Sequence, residues 1–319
     1  MKPFAFVFPG QGSQSVGMLD AWGDHPAVRQ TLAEASAALG EDIGALIAAG
    51  PREALALTTN TQPVMLTAGV ACWRVWRAEG GALPAAVAGH SLGEYSALVA
   101  AEALTLAHAV PLVRLRAAAM QDAVPVGSGA MAAILGLDAQ KVIAGCADAT
   151  RAMSAAGSGA EVVEAVNFND PSQTVIAGSK AAVEKACEVL KSMGAKRALP
   201  LPVSAPFHCS LMKPAAERLK AALQSVPIAA PQIPVVNNID VAAESEPARI
   251  RDALYRQAFG PVRWVECIAK IKSMGLGAVV ECGPGKALAG MTKRIDPELT
   301  GAALYDPATL AEVKALLQG

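Results

Sequence analysis

The sequence feature that most constrains this chain is a G-x-S-x-G pattern at residues 89–93, placed between two segments of regular structure. Residues 85–88 are apolar and predict a strand, and residues 93–101 predict a helix. A serine at such a turn needs strained backbone angles, and Gly89 and Gly93 leave room where larger side chains would collide. The turn exposes the hydroxyl, and the helix N-terminus directs N–H groups at a developing negative charge. Ser91 is therefore a candidate nucleophile.

Composition narrows the class of protein. The chain has 319 residues, of which 53% are hydrophobic, yet the excess is largely alanine. No run approaches the roughly 18 to 20 apolar residues of a membrane span, so a soluble protein is expected. Residues 4–8 are too short for a signal-peptide core and predict the first strand. The net charge of -1 gives no general attraction for nucleic acid or an anionic membrane.

The six cysteines are scattered without C-x-x-C spacing, which indicates neither a zinc site nor a disulfide framework. We therefore expect a reducing, cytoplasmic environment and no bound metal. A monomer is also expected, since nothing in the sequence suggests a large sticky surface.

A glycine-rich turn at residues 9–17 follows the first strand and invites a dinucleotide-binding interpretation. The G-x-G-x-x-G fingerprint would need glycine at Ser15, and no acidic residue ends a strand about 20 residues further on. The same turn could instead offer backbone N–H groups to an oxyanion, a use that suits Gln11 between its two glycines.

Strands that alternate with helices predict a parallel sheet for most of the chain. Between residues 125 and 200 the pattern changes to strand, helix, strand, strand, helix, strand, which is the ferredoxin-like order. We therefore predict an α/β fold, with a large catalytic subdomain at residues 1–124 and 201–319 and a small inserted subdomain at residues 125–200. Towards the carboxyl end, residues 252–259 predict a further helix.

A helix predicted at residues 105–124, with Thr105 as its N-cap, carries Pro111 and two arginines. Pro111 should remove a hydrogen bond and bend this helix. Arg114 and Arg116 are about 200° apart around the axis, and Arg116 lies on the bulky side. A buried guanidinium needs a partner. Either an Asp or Glu pairs with it or its stem reaches water, or it holds a substrate carboxylate in a bidentate manner.

The chain has only four histidines. His208, in a loop bracketed by prolines at residues 202–210, is the best candidate for a general base, because loops on a rigid scaffold often carry catalytic groups. His25 and His108 fit structural or exposed positions. His90 adjoins Ser91, but neighbouring residues at such a turn point apart.

Six short motifs give the chain a resemblance that covers essentially its whole length. They are Gly10-Gln11-Gly12-Ser13-Gln14, Gly89-His90-Ser91-Leu92-Gly93-Glu94, Arg116, Pro206-Phe207-His208, Tyr255-Arg256-Gln257 and Glu281-Cys282-Gly283-Pro284-Gly285. In these motifs the chain closely resembles the malonyl-CoA:acyl carrier protein transacylases of bacterial type II fatty acid synthesis. Acyltransferase domains of polyketide synthases share most of them. The resemblance implies an α/β-hydrolase-like core.

The resemblance also implies a two-stage acyl transfer from malonyl-CoA to the phosphopantetheine thiol of acyl carrier protein. Ser91 would carry the malonyl group and His208 would move the protons. Backbone N–H groups of Gln11 and Leu92 would form the oxyanion hole. Arg116 would hold the malonyl carboxylate and so select the substrate.

Two glutamines have roles by the same resemblance. The backbone carbonyl of Gln257 would orient His208 in place of an acid, and Gln62 would line the pocket. No cofactor is expected, since the CoA thioester is itself a substrate. Because acyl carrier proteins are acidic, Lys191, Lys196 and Arg197 are candidate contacts for the carrier, unless they are simply solvated.

Two other functions remain open from the sequence. An esterase or thioesterase would also use G-x-S-x-G, with Ser, Asp or Glu, and His in that chain order and often an HGGG loop, which this chain lacks. A non-catalytic subunit that docks carrier proteins would carry the motif as a vestige and would form no covalent adduct at Ser91.

Overall fold

The computed structural model describes residues 2–155, 161–203 and 205–318, so Ser204 of the predicted loop before His208 lies outside the described residues. The strands in these ranges are β1 (Phe4–Phe8), β2 (Ala86–Gly89), β3 (Gly129–Leu135), β4 (Val163–Asp170), β5 (Gln173–Ser179), β6 (Arg197–Pro200), β7 (Val235–Val236), β8 (Ala278–Cys282) and β9 (Thr300–Leu304). The α-helices are α1 (Pro26–Leu39), α2 (Ile43–Ala49), α3 (Arg52–Ala56), α4 (Thr58–Ala78), α5 (Gly93–Ala100), α6 (Leu106–Asp122), α7 (Ala139–Ala155), α8 (Lys180–Ser192), α9 (Lys213–Ser225), α10 (Pro247–Gln257), α11 (Trp264–Ser273), α12 (Ala287–Ile295) and α13 (Pro307–Gln318).

The larger sheet is parallel throughout, with the strand order β7-β2-β1-β8-β9. Every residue of β1, β2 and β8 is buried, because helices cover both faces. This double coverage explains why β1 and β2 are continuous apolar runs without alternation, and β8 departs from that pattern only at the buried Glu281. In the register, Phe8 pairs with Gly89 and Val7 pairs with Glu281. The loops that follow β1, β2 and β8 therefore leave the sheet at the same edge.

The helix α4 is the main support of one face of this sheet and packs against α1 and α6. The ring of Phe6 on β1 meets the rings of Trp73 and Trp76 edge-on, with centroids 5.7 and 5.4 Å away. Such edge-to-face pairs contribute beyond the area they bury. The sheet edge that carries the loops thus rests on a closely packed aromatic core.

The smaller sheet is antiparallel and has the strand order β4-β5-β3-β6. Its helices α7 and α8 pack together and share an apolar cluster with one face of the sheet, including Val142, Ile176 and Leu190. This strand order and the two helices on one face are those of a ferredoxin-like fold. The predicted fold class, a parallel α/β core with an inserted ferredoxin-like unit, is confirmed, whereas the exact subdomain boundaries at residues 124–125 and 200–201 stay a prediction.

The two sheets are joined through β4. The amide of Phe168 donates to the carbonyl of Val262 at 3.0 Å, and the amide of Val262 donates to the carbonyl of Val166 at 2.8 Å. Nearby, Arg294 on α12 donates to the buried carboxylate of Asp170 at 2.7 Å. The smaller sheet is thus attached to the parallel-sheet region through its edge strand β4.

The observed elements differ from the predicted ones in a few places. The helix α10 begins at Pro247, five residues before the predicted start at residue 252, with proline in its first turn. The elements β9 and α13 were not predicted. The helix α6 runs unbroken through Pro111, and Thr105 caps it by accepting from the amide of His108. None of the helices in the described ranges is both long and apolar enough to cross a membrane.

Candidate active site

Ser91 lies between β2 and α5, in the left-handed backbone region at a φ of 53°. A Cβ on Gly89 would lie 1.9 Å from the carbonyl carbon of Gly93, and a Cβ on Gly93 would lie 2.1 Å from the carbonyl oxygen of Phe8. Neither position has room for any other residue. The tight turn predicted from the two glycines is therefore present, and it lifts Ser91 above the sheet edge.

His208 is the nearest base to the serine. Its Nε2 lies 2.6 Å from Ser91 Oγ, and its Nδ1 lies 2.9 Å from the backbone carbonyl oxygen of Gln257. A carbonyl only accepts, so Nδ1 carries the proton and Nε2 is free to take one from the serine. Within the described residues no carboxylate oxygen bonds to His208, so the acid partner that an esterase triad requires is not found.

Burial and then the nearby charge of Arg116 lower the pKa of His208 to about 3. Both effects disfavour the imidazolium, since one removes water and the other places a like charge close by. The imidazole is therefore neutral at pH 7, which is the form that accepts a proton.

Arg116 reaches the same point from α6. Its side chain is 2% exposed, and it donates to Gln62 Oε1 at 2.8 Å, to Gln257 Oε1 at 3.1 Å and to Ser91 Oγ at 3.2 Å. The guanidinium carbon also lies 5.5 Å from the centre of the Tyr95 ring. These partners are neutral, and within the described residues Arg116 forms no ion pair, so neither the Asp or Glu partner nor the solvated stem considered above is observed.

Arg114, two residues earlier on the same helix, behaves as an ordinary surface arginine. It forms a bidentate pair with Glu41, at 2.9 and 2.7 Å. The two arginines thus lie on different faces of α6, as their spacing predicted. Burial lowers the pKa of Arg116, and the nearby Tyr95 and Glu94 oppose this shift only in part, since neither forms an ion pair with the guanidinium.

Gln257 connects all of these groups. Its backbone carbonyl accepts from His208, its side-chain oxygen accepts from Arg116, and its Nε2 donates to the Ser91 carbonyl at 3.0 Å and to Glu94 Oε2 at 3.0 Å. The side chain is completely buried. One residue at the end of α10 therefore fixes the base, the cation and the serine backbone relative to one another.

Two residues below the turn, Glu94 and Asn238, have contacts that the sequence did not predict, although Glu94 is the last residue of the motif that contains Ser91. Asn238 accepts from the amide of Ser91 at 2.7 Å and donates to the carbonyl of Gly89 at 2.8 Å. Glu94 accepts from the amide of Asn238 at 2.9 Å as well as from Gln257. Burial raises the pKa of Glu94 to about 7. In the sequence, Glu94 is an acid in the first helical turn, and Asn238 ends the segment 234–238 that predicts a short strand, so neither pattern indicates these contacts.

A cavity of about 130 Å³ opens beside the serine, between the two sheets. Its lining contains the following residues from both regions: Gln11, Gln62, His90, Ser91, Leu92, Arg116, Met120, Met131, Asn167, Leu201, Val203, Phe207 and His208. The backbone amides of Gln11 and Leu92 donate no hydrogen bond to any described residue. Two unused N–H groups at a cavity wall beside a nucleophile suit a developing oxyanion.

The other histidines bond to other partners, although His90 lines the cavity, and the basic residues lie on the surface. His25 caps α1, His108 bonds to Thr105, and His90 Nε2 lies 2.8 Å from Asn169 Oδ1. Lys191, at the end of α8, and Lys196 and Arg197, at the start of β6, are all exposed. The structure thus brings together Ser91, His208, Arg116, Gln62, Gln257, Gln11 and Leu92, and leaves the three basic residues on the surface.

Glu164, on β4 of the smaller sheet, is another residue that the sequence did not indicate. Its carboxylate accepts from the amide of Ser210 at 3.1 Å and from the Ser210 hydroxyl. Ser210 is two residues beyond His208, whose own φ is 67°. Glu164 therefore anchors the loop that carries the base. Across the described residues, no group of three or more His, Cys, Asp or Glu side chains has the spacing of a metal site.

Known proteins resemble this chain over nearly its whole length. Residues 5–295 match the family model described as the acyl transferase domain. The chain is 54% identical to the malonyl CoA-acyl carrier protein transacylase of Salmonella typhimurium, over 98% of each chain. The crystal structure of an acyl-carrier-protein S-malonyltransferase from Burkholderia pseudomallei is 64% identical, with a TM-score of 0.94 over 98% of this chain and 99% of that one. A malonyl-transacylase solved in complex with a type II PKS acyl-carrier protein is 49% identical, with a TM-score of 0.94 over 100% of both chains.

Proposed function

The chain belongs to the acyl transferase family, among its malonyl-CoA:acyl carrier protein transacylases, and we propose that it moves the malonyl group through an ester on Ser91. Malonyl-CoA would acylate the serine, and the phosphopantetheine thiol of acyl carrier protein would then remove the group. The malonyl-thioester product would supply the elongation steps of fatty acid synthesis.

The observation that carries this proposal is the position of Arg116. A buried cation lies 3.2 Å from the nucleophilic oxygen and is held by amides, a ring face and a hydroxyl but by no adjacent carboxylate. An acyl group that ends in a carboxylate would supply the missing anion and form charge-assisted hydrogen bonds. A neutral acyl group would leave the cation uncompensated, so the site favours malonyl over acetyl.

In the first half-reaction, Ser91 Oγ attacks the thioester carbonyl while its proton passes to His208 Nε2. The oxyanion that forms is stabilised by the amides of Gln11 and Leu92, and each such donor is typically worth about 2.7 to 4 kcal/mol. Collapse of the intermediate breaks the C–S bond, and His208 returns its proton to the departing CoA sulfur. Ser91 is left as its malonyl ester.

The substrate carboxylate also affects the base. The charge of Arg116 is the second cause of the low pKa of His208, after burial. A carboxylate bound to Arg116 would offset that charge and make His208 a stronger base. We infer that malonyl is favoured in the chemical step as well as in binding.

In the second half-reaction, His208 Nε2 takes the proton of the carrier thiol as the sulfur attacks the malonyl ester. The C–O bond to Ser91 then breaks, and the proton moves from His208 to Ser91 Oγ. The Gln257 carbonyl accepts a hydrogen bond from Nδ1–H of His208 through both half-reactions. Nε2 therefore serves first as the base and then as the acid.

A groove provides the route for the thioester arm. It has a volume of about 740 Å³, is lined by residues of the loop after β1 and of α3, and shares Gln11, Leu201 and Val203 with the cavity at Ser91. A pantetheine chain in this groove would place its sulfur beside the serine. CoA and the carrier arm would use it in turn, which fits the two separate half-reactions.

The carrier protein would dock beside this groove. Lys191, Lys196 and Arg197 are exposed, and none takes part in an ion pair within the part of the chain that the structure describes. The strand β6 is an edge strand and leads directly to Leu201, which lines both cavities. We propose that these three side chains contact the acidic carrier, and that the enzyme acts in the cytoplasm as a monomer.

A chase experiment tests the proposal. The enzyme is exposed to malonyl-CoA, separated from free CoA, and then mixed with carrier protein in its phosphopantetheinylated or unmodified form. We expect the malonyl group to move from the enzyme to the phosphopantetheinylated carrier only. The Ser91→Ala variant should form no malonyl ester. Release of free malonate without transfer would instead identify a hydrolase, and transfer by Ser91→Ala would exclude the seryl ester.

A further inference from the structure

The buried carboxylate of Glu94 is not used by the mechanism above, although it lies directly beneath the site. Glu94 is three residues after Ser91, in the first turn of α5, and its side chain is 2% exposed. Within the described residues it has no salt-bridge partner. The charge of Arg116 also acts on Glu94, but less than its hydrogen bonds do, so the buried carboxylate depends mainly on those hydrogen bonds.

Two groups donate hydrogen bonds to Glu94, and both of them hold catalytic atoms. The same oxygen, Oε2, accepts from the Asn238 amide at 2.9 Å and from Gln257 Nε2 at 3.0 Å. Asn238 continues to the amide of Ser91, and Gln257 continues to His208 and Arg116. One carboxylate oxygen thus links the serine turn to the end of α10.

We propose that Glu94 is a positioning residue that sets the places of Asn238 and Gln257, and through them those of Ser91, His208 and Arg116. What this role requires is an acceptor oxygen at a fixed point, because both partners donate N–H groups to it. An amide oxygen has two lone pairs and can serve the same two donors. The raised pKa of about 7 agrees, since the uncharged form is then reached near neutrality. A side chain of similar size without an acceptor would leave both donors unpaired and free to move.

The test compares Glu94→Gln, which keeps an acceptor, with Glu94→Met, which keeps the approximate volume but has none. Two rates are measured: transfer of malonyl to carrier protein, and covalent labelling of Ser91 by the neutral reagent diisopropyl fluorophosphate. Labelling reports on the Ser91–His208 pair and needs no carboxylate at Arg116. For Glu94→Met we expect both rates to fall by about 100-fold, the typical cost of misplacing reacting groups by about 1 Å. For Glu94→Gln we expect both rates to stay within about threefold of wild type.

The matched control is Glu281, a second buried carboxylate whose pKa burial also raises to about 7. It accepts from the Ala289 amide at the start of α12 and touches none of the site residues. Glu281→Met should lower thermal stability while leaving both rates near the wild-type values. A comparable rate loss in Glu281→Met would show that any lost buried acid has this effect, and would overturn the proposal.

Two further results would overturn it as well. One is a folded Glu94→Met enzyme with both rates near wild type, and the other is a Glu94→Gln enzyme as impaired as Glu94→Met. Should Glu94→Met not fold, Gln257→Met gives a second test, because it removes the side chain that Glu94 holds but keeps the backbone carbonyl. Unchanged labelling in Gln257→Met would show that the Glu94 contact does not position His208.

The inference rests on Ser91 and His208 acting as proposed above, and the labelling experiment separates the two failures. If the wild-type enzyme is not labelled at Ser91, the proposed function fails. If it is labelled and Glu94→Met is labelled equally fast, the proposed function stands and only the role of Glu94 is lost.

Discussion

The parallel sheet and the antiparallel sheet meet at the same cavity but supply different kinds of residue. The loops at the carboxyl edge of the parallel sheet carry Gln11, Ser91 and Asn238, and Asn238 bonds directly to the backbone of the serine turn. The antiparallel sheet contributes wall residues such as Met131 and Asn167. Loops that follow parallel strands converge at the carboxyl ends of those strands. The ferredoxin-like sheet instead lines the cavity with side chains from one face. The parallel-sheet region thus holds most of the site residues, whereas the antiparallel sheet encloses them and anchors the loop of His208 through Glu164.

The largest effect is expected at His208, because the Gln257 carbonyl that accepts its Nδ1–H belongs to the parallel-sheet region. His208→Ala removes the group that we propose accepts the Ser91 proton, and we expect the rate of malonyl transfer to fall by about 10²- to 10⁴-fold. The measurement is a single-turnover assay with malonyl-CoA. A loss below about tenfold would mean that another group moves the proton.

The low pKa of His208 also affects stability. In the unfolded chain the imidazole binds a proton below its ordinary pKa of 6.5, but in the folded enzyme only near 3. Protons therefore favour the unfolded chain across this window, and stability falls as the pH falls from 6.5 towards 3. Relative to His208→Gln, the free energy of unfolding of the wild type should fall by about 1.4 kcal/mol per pH unit. Urea denaturation of both proteins between pH 7 and 5 measures this difference, and parallel curves would contradict it.

Glu164 tests whether the antiparallel sheet only encloses the site. Its carboxylate holds Ser210 by two hydrogen bonds, so Glu164→Gln should loosen the loop of His208 and lower the acylation rate by about tenfold. The exposed Glu188, which pairs with Lys185 on α8, gives a control in the same subdomain. If Glu164→Gln and Glu188→Gln both acylate at the wild-type rate, the smaller sheet has no part in placing the base.

The smallest effect is expected at the surface of the smaller sheet. Reversing the charges of Lys191, Lys196 and Arg197 to glutamate should raise the KM for acyl carrier protein about three- to tenfold at low salt, with less effect at high salt. The KM for malonyl-CoA should not change. Lys141→Glu, on α7, is the control for a charge reversal elsewhere on the same subdomain, to be compared with each single reversal. An unchanged carrier KM would show that these side chains are simply solvated.

The serine turn could be predicted from the sequence because its causes are local. An apolar strand, two glycines and a helical pattern within about ten residues determine the turn, and the steric reason for Gly89 and Gly93 holds in the structure. The alternation of strands and helices likewise predicted the parallel sheet. The start of α10 was not predicted because the segment is mostly polar. The elements β9 and α13 were not predicted either, although Leu310, Val313 and Leu317 of α13 recur at helical spacing.

The network around the serine depends on contacts between distant parts of the chain. Arg116 and Gln62 are 54 residues apart, and Gln257 and Glu94 are 163 apart. The family resemblance supplied Gln62, Gln257 and the selector role of Arg116, while spacing alone left the partner of Arg116 open. The motif that contains Ser91 includes Glu94, but it assigns Glu94 no role, because the contact with Gln257 exists only once α5 and α10 are packed together.

The central claim is that Arg116 is held near Ser91 by neutral groups so that a substrate carboxylate can complete the site. Intact-protein mass after brief exposure to malonyl-CoA or acetyl-CoA tests it directly, with Arg116→Met compared against Arg114→Met on the opposite face of α6. We expect one malonyl adduct on the wild type and on Arg114→Met, none on Ser91→Ala, and a malonyl-to-acetyl preference about 100-fold lower in Arg116→Met. An Arg116→Met enzyme that keeps the wild-type preference would contradict the account.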